Sequence, residues 1–127
     1  MFALAYAIMT YEEPAAPEPE WLTFEATAYT ADCRGCIGIT KTGIDVRQTQ
    51  YHEGRRVVAV DPREIPLGTA LDIRLADGTV IEAIAEDTGG AIKGTRLDVL
   101  MATEEEAYEF GRQDVEVRII NEKETEE

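Results

Sequence analysis

Leu71-Asp72-Ile73-Arg74-Leu75-Ala76-Asp77-Gly78-Thr79-Val80-Ile81-Glu82-Ala83-Ile84-Ala85 reads as two strands and the tight turn between them. Leu71, Ile73 and Leu75 alternate with Asp72 and Arg74, the period of two that a half-buried strand requires. Asp77-Gly78 marks a hairpin, and Thr79 to Ala85 is the returning strand. Upstream the same alternation recurs: Leu22, Phe24, Ala26 and Ala28 stand against Thr23, Glu25, Thr27 and Tyr29. Val57 to Val60, Leu97 to Leu100 and Val115 to Ile120 bring the total to about six strands. One helix is predicted over Glu104 to Phe110, with Thr103 as its N-cap, Glu106 reaching back, and Gly111 at the exit. Short strands, many turns and one helix predict a small closed barrel, because closure removes exposed strand edges.

Immediately after the hairpin comes Glu86-Asp87-Thr88-Gly89-Gly90-Ala91-Ile92-Lys93-Gly94-Thr95-Arg96-Leu97-Asp98, a loop with three glycines and an aspartate eleven positions on from Asp87. Such a loop can bring its two ends together, so Asp87 and Asp98 are expected to share a pocket. Asp61, in Val58-Ala59-Val60-Asp61-Pro62, also ends an apolar run and is expected to join them. Three readings of this trio stand side by side. One carboxyl could be a general acid, its proton retained through neighbouring negative charge and apolar walls, with Lys41 or Lys93 opposing that shift if close. The trio could hold calcium or magnesium, although no EF-hand pattern is present. The same residues are also common turn formers.

A chain of 127 residues supports one domain with one modest core. Its formal charge of −14 is concentrated at the ends. Residues 1–20 carry Glu12, Glu13, Glu18 and Glu20 without a Lys or Arg, and residues 122–127 carry four Glu against Lys123, so the tails hold half of the excess. No nucleic-acid partner is expected, since its phosphates need a basic surface. Met1 to Met9 is apolar but lacks a basic start and falls short of the roughly 20 residues that span a bilayer, so no membrane span is expected. It reads either as the remnant of an export signal or as a tail. Tyr11 to Glu20, rich in Pro and Glu, reads as a linker. The expected organisation is a tail and linker over 1–20, one folded domain over 21–121, and an acidic tail over 122–127.

Cys33 and Cys36 are the only cysteines and His52 the only histidine. A four-ligand structural zinc site therefore lacks ligands, and no βαβ setting for a thioredoxin-type pair is present. A local disulfide staple is preferred, with free thiols next. His52 lies in the segment Ile44 to Arg56, which matches no recognisable pattern, and is read as a surface loop residue.

Asp87-Thr88-Gly89 shares its three letters with retroviral-type aspartic proteases, but Glu86 before it and Gly90-Ala91-Ile92-Lys93-Gly94 after it fit that pattern poorly. A different resemblance spans residues 24 to 120. Ala26-Thr27-Ala28-Tyr29-Thr30, the Cys33/Cys36 loop, Gly38-Ile39-Thr40-Lys41-Thr42-Gly43, Val58-Ala59-Val60-Asp61-Pro62, Ile65-Pro66-Leu67-Gly68-Thr69, Asp87-Thr88-Gly89-Gly90-Ala91-Ile92-Lys93-Gly94, Arg96-Leu97-Asp98, Glu106-Ala107 and Phe110-Gly111 together resemble the 3D domain, named for three aspartates. That domain is similar to the catalytic barrel of MltA-type lytic transglycosylases and occurs in bacterial cell-wall remodelling proteins of the resuscitation-promoting and stationary-phase survival kind.

The resemblance implies a mostly β fold, a small six-stranded double-psi β-barrel with one short C-terminal helix. It implies a secreted or envelope-located lyase, with no cofactor and no metal, that cuts peptidoglycan glycan strands between N-acetylmuramic acid and N-acetylglucosamine and leaves a 1,6-anhydro end. Carried over by motif, Asp98 is the acid/base, and Asp87 and Asp61 orient it and tune its pKa. Thr27, Tyr29, Lys41 and Lys93 would line the sugar groove, and Gly89 and Gly90 would let the backbone approach the substrate. The alternative from another class is a non-catalytic, expansin-like glycan-binding barrel.

Overall fold

A computed structural model describes residues 20–32 and 36–120. Apart from Glu20, the expected linker and both tails lie outside the described residues, as does Cys33 of the expected staple. The elements in chain order are β1 (Leu22–Thr30), β2 (Tyr51–His52), β3 (Arg55–Ala59), β4 (Ala70–Arg74), β5 (Val80–Asp87), β6 (Arg96–Met101), α1 (Glu104–Phe110) and β7 (Gln113–Ile120).

The strands run in the order β2-β3-β5-β4-β7-β1-β6, and β3 also pairs with β6. That last pairing closes a ring of six strands and leaves the two-residue β2 as a flap outside it. The barrel expected from the sequence is therefore the barrel observed. Two neighbouring pairs, β1 with β6 and β3 with β5, are parallel, while the others in the ring are antiparallel. Exchanging β1 with β5, β3 with β6 and β4 with β7 interchanges β1–β6 with β3–β5 and β1–β7 with β4–β5, and leaves β3–β6 and β4–β7 as they are. The two halves of the chain thus repeat one topology.

Alternation places one face of each strand inside. Phe24 and Ala26, Val58, Leu71 and Ile73, Ala83 and Ala85, Leu97 and Val99, and Val115 and Val117 form the interior, joined by Val60 and Ile65 from beyond β3. Leu71, Ile73, Leu97 and Val99 are completely buried, and truncating a leucine in such a place costs about 2–5 kcal/mol. The hairpin at Asp77-Gly78 forms as read, with Leu75 N–H donating to the Thr79 carbonyl and the Asp77 carboxylate accepting from Thr79 N–H. Trp21 anchors the entry to β1, its ring covered by the guanidinium groups of Arg74 at 4.0 Å and Arg118 at 4.4 Å.

A second, smaller cluster lies on the outside of the barrel. Val57, Ile84 and Leu100, the outward residues of β3, β5 and β6, are buried by Val46, with Tyr29, Ala31 and Ile44 packed around them. This cluster clamps the segment between β1 and β2 against the wall. The β2 flap was not legible in the sequence. Its turn is Glu53-Gly54, with φ of 54° and 81°, so a glutamate takes the left-handed position usually given to Asn, Asp or Gly.

Helix α1 starts as the capping pattern dictates. Thr103 accepts from Glu106 N–H at 3.0 Å, and Gly111 N–H donates to the Ala107 carbonyl. Glu106 reaches back one residue further than a strict capping box would place it, to Ala102 N–H at 3.3 Å.

Candidate functional site

Four residues on four neighbouring strands form a row on the outer wall. Asp87 of β5 lies opposite Ala59 of β3, Ala59 opposite Asp98 of β6, and Asp98 beside Thr27 of β1. With strands spaced about 4.8 Å apart, the two aspartate backbones are about 10 Å apart. Ala59 between them has the smallest side chain that keeps a Cβ, so the space over it belongs to the two carboxylates.

Asp87 reaches this row through a bulge. Ala83 and Ala85 face the interior, so strict alternation would turn residue 87 inward as well. The pairing instead shifts from Val58 opposite Ala85 to Ala59 opposite Asp87, which leaves Glu86 as the extra residue. One inserted residue rephases the strand and swings Asp87 outward. The loop covering the outer cluster then locks the bulge. Thr42 donates to the Glu86 carbonyl from both N–H (3.4 Å) and Oγ1 (3.2 Å), and Lys41 N–H donates to Asp87 Oδ1 at 2.9 Å.

The two acids of the row live in different surroundings. Asp87 accepts three hydrogen bonds, from Tyr29 OH at 3.0 Å, Lys41 N–H and Thr88 N–H. Such a set of donors suits an ionised carboxylate. Asp98 accepts one, from Thr27 Oγ1 to Oδ1 at 2.8 Å, and its Oδ2 accepts none among the described residues. Burial pushes the Asp98 carboxyl above its ordinary value, the charge of Asp87 adds to the rise, and the Thr27 hydrogen bond opposes it. Burial, followed by the charges of Asp87 and Asp98, likewise pushes up the Tyr29 phenol, so this hydroxyl remains a donor. A carboxylate fixed by three donors beside another pushed up by burial is the arrangement that separates a stabilising group from an acid.

Asp61 corrects the expectation of a shared trio. Its side chain is 2% exposed, yet its oxygens are taken by Arg63 Nε (3.1 Å) and Nη2 (2.8 Å) and by the N–H groups of Arg63 (3.0 Å) and Gly94 (2.8 Å). The Arg63 guanidinium and these amides hold the Asp61 carboxyl well below the usual carboxylate range. The charges acting on Asp98 and Tyr29 include Asp87 but not Asp61. Asp61 therefore ties the glycine loop to the end of β3 through Gly94 instead of tuning the acid directly.

Other expected groove residues are redistributed. Thr27 and Tyr29 are present in the row, but each spends its hydroxyl on an aspartate. Lys41 acts through its backbone amide, and its side chain and that of Lys93 lie on the exposed surface. Neither ammonium is among the causes that shift Asp98. Gly89 is small for an internal reason, since a Cβ there would come within 2.9 Å of Ile92 Cγ1, while a Cβ at Gly90 would meet nothing within 4 Å. Arg96 holds the far end of the loop, donating to Glu25 at 3.0 Å and to the Ala91 carbonyl at 3.3 Å. His52 sits on the β2 flap with Glu53 at 3.7 Å. Among the described residues no three His, Cys, Asp or Glu converge to hold an ion.

Beside Asp87 a cavity of about 200 Å³ opens between β1 and the covering loop, lined by Tyr29, Ala31, Gly38, Val46 and Thr88 and by the exposed Ile37 and Ile39. The row thus has an apolar wall on one side. Neither the spacer Ala59 nor the bulge at Glu86 carries a signal in the sequence.

The model of the 3D domain matches residues 56–121. The chain belongs to the 3D domain family. Within Bacillus subtilis it is 50% identical over 93 residues to the SPbeta prophage-derived protein YorM, covering 72% of this chain and 39% of that one. It is 42% identical over 100 residues to the cell wall-binding protein YocH, covering 79% of this chain and 32% of that one. The chain therefore spans well under half the length of the curated relatives it matches. Among solved structures, MltA from E. coli superimposes with a TM-score of 0.51 at 22% identity, over 69% of this chain and 29% of that one. An expansin from Clavibacter michiganensis superimposes with a TM-score of 0.57 at 16% identity, over 80% and 51% respectively. At these identities the likeness is one of fold. No described helix is long and apolar enough to cross a membrane.

Proposed function

We propose that this 3D domain cuts the glycan strand of peptidoglycan as a lytic transglycosylase, with Asp98 as its single acid/base. The observation that carries this reading is the unequal environment of the row: Asp98 is desolvated and raised beside an Asp87 held by three donors. The protonated Asp98 carboxyl donates to the glycosidic oxygen as the bond from that oxygen to C1 of the muramyl residue breaks. Asp87, fixed in place by its three donors, stabilises the positive charge that develops on the ring. The Asp98 carboxylate then takes the proton of the muramyl C6 hydroxyl, whose oxygen bonds to C1 and closes the 1,6-anhydro ring. No water is consumed, and Asp98 regains its proton, so one carboxyl serves both steps.

The choice of polymer is supported by relatives named for binding or shaping the cell wall and by the lytic transglycosylase fold of MltA. On this reading the protein works outside the cell or in its envelope. A second reading is favoured by the expansin likeness, and a related expansin structure contains cellohexaose: the row binds glycan without cutting it. Digestion of purified sacculi followed by mass spectrometry separates the two. Anhydromuramyl ends released by the wild type and lost in Asp98→Asn support cleavage. Retention on sacculi without such ends supports binding alone, and an Asp98→Asn protein that still releases them overturns the assignment of the acid.

A further inference from the structure

Helix α1 carries Tyr108 with 89% of its surface exposed, and none of the helix's residues is buried. Four residues earlier, and so on the same helical face, stands Glu104. Between this face and β1 lies a depression of about 330 Å³ lined by Ala28, Tyr29, Thr30, Glu104, Ala107 and Tyr108, at the lower end of the roughly 300–1,000 Å³ of small-ligand sites. Tyr29 is shared: it lines this depression and the cavity beside Asp87, and its hydroxyl holds Asp87.

Resting on the glycan reading above, we infer that this depression is a second saccharide subsite, where one uncharged pyranose ring of the same strand packs on Tyr108. A pyranose has an apolar C–H face and a rim of hydroxyls. Tyr108 offers a flat apolar ring that folding has left uncovered, Ala107 offers a low floor, and Glu104 offers acceptor oxygens for the rim. Glu104, Glu105 and Glu106 crowd the first turn without a compensating base, which disfavours an anionic occupant and leaves a neutral sugar as the fitting one. Tyr29, which borders both depressions, is the residue across which a strand seated on the row would reach this one.

The test is titration of wild type, Tyr108→Ala and Tyr108→Phe with N-acetylglucosamine oligomers of two and six units, with melting temperature as a check on folding. Loss of an aromatic platform corresponds to about three- to tenfold in affinity. Tyr108→Ala is expected to weaken the hexamer by that factor and leave the dimer unchanged, and Tyr108→Phe to restore the hexamer. Equal affinities for the hexamer in wild type and Tyr108→Ala, or an equal loss for both lengths, would overturn the subsite while the glycan reading stands. Failure of the wild type to bind either oligomer or sacculi would remove the glycan reading, and the subsite with it.

Discussion

The two halves of the barrel repeat one strand topology and differ in their connections. In the first half, residues 31–50 link β1 to the β2–β3 hairpin, and Val46 buries Val57, Ile84 and Leu100 beneath that segment. In the second half, only residues 88–95 link β5 to β6. The long connection builds a wall; the short one brings Asp87 and Asp98 into one row. The exits from β3 and β6 differ as well. Asp61 is sealed by Arg63 and Gly94 after β3, whereas Thr103 begins an exposed helix after β6. A symmetric frame thus yields an asymmetric cleft, and the aspartate at the β3 exit and the one within β6 answer to opposite forces: hydrogen bonds and charge lower Asp61, burial raises Asp98.

The largest effect belongs to the acid itself. Asp98→Asn is expected to lower anhydromuropeptide release from sacculi by about 10²–10⁴-fold, because the amide has no proton to give; near-wild-type turnover would remove Asp98 from the mechanism. Next comes the contrast in stability between the two acids. The folded pKa of Asp61 is depressed, so its contribution is present above the unfolded value and is lost as pH falls through the folded one. Asp61→Asn should melt well below wild type at pH 7, with the gap closing in acid. Asp98 has the reverse sign: its raised folded pKa penalises the native state as pH rises. Asp98→Asn should melt at or above wild type at pH 7, again converging in acid. Parallel melting curves for the two variants across pH would show that their environments do not differ as described.

A smaller effect reports on the row. Asp87→Asn removes a charge that raises Asp98, so the alkaline limb of the pH–rate profile should move to lower pH. Thr27→Val removes the hydrogen bond that lowers Asp98 and should move that limb upward. Movement in the same direction would disconnect these neighbours from the acid. The smallest expected effect lies at the exposed exit, where Thr103→Ala should cost about 1 kcal/mol in denaturant titration and leave the row untouched.

Much of the frame was legible in local chemistry. Alternation at Leu71, Ile73 and Leu75, the Asp77-Gly78 turn and the Thr103, Glu106 and Gly111 caps each depend on contacts within a few residues, so composition and spacing suffice to read them. That Asp87 and Asp98 lie near one another was legible because three glycines permit a close return. The role of Asp61 was not. Its partners combine a guanidinium two residues away with an amide at position 94, and the sequence shows neither the fold of the loop nor the donors it supplies. Thr27 and Tyr29 were singled out for the sugar groove, but the hydrogen bonds they make to Asp98 and Asp87 depend on cross-strand register.

What the amino-acid order settles alone is a barrel of short alternating strands, a capped helix and a pair of aspartates joined by a glycine-rich loop, since these follow from period, turn preference and capping over short separations. Which carboxyl is pushed upward and which downward is decided only in three dimensions. That depends on the bulge at Glu86, the small Ala59 between the acids and the burial of Asp98, all products of strands far apart in the chain meeting in one register.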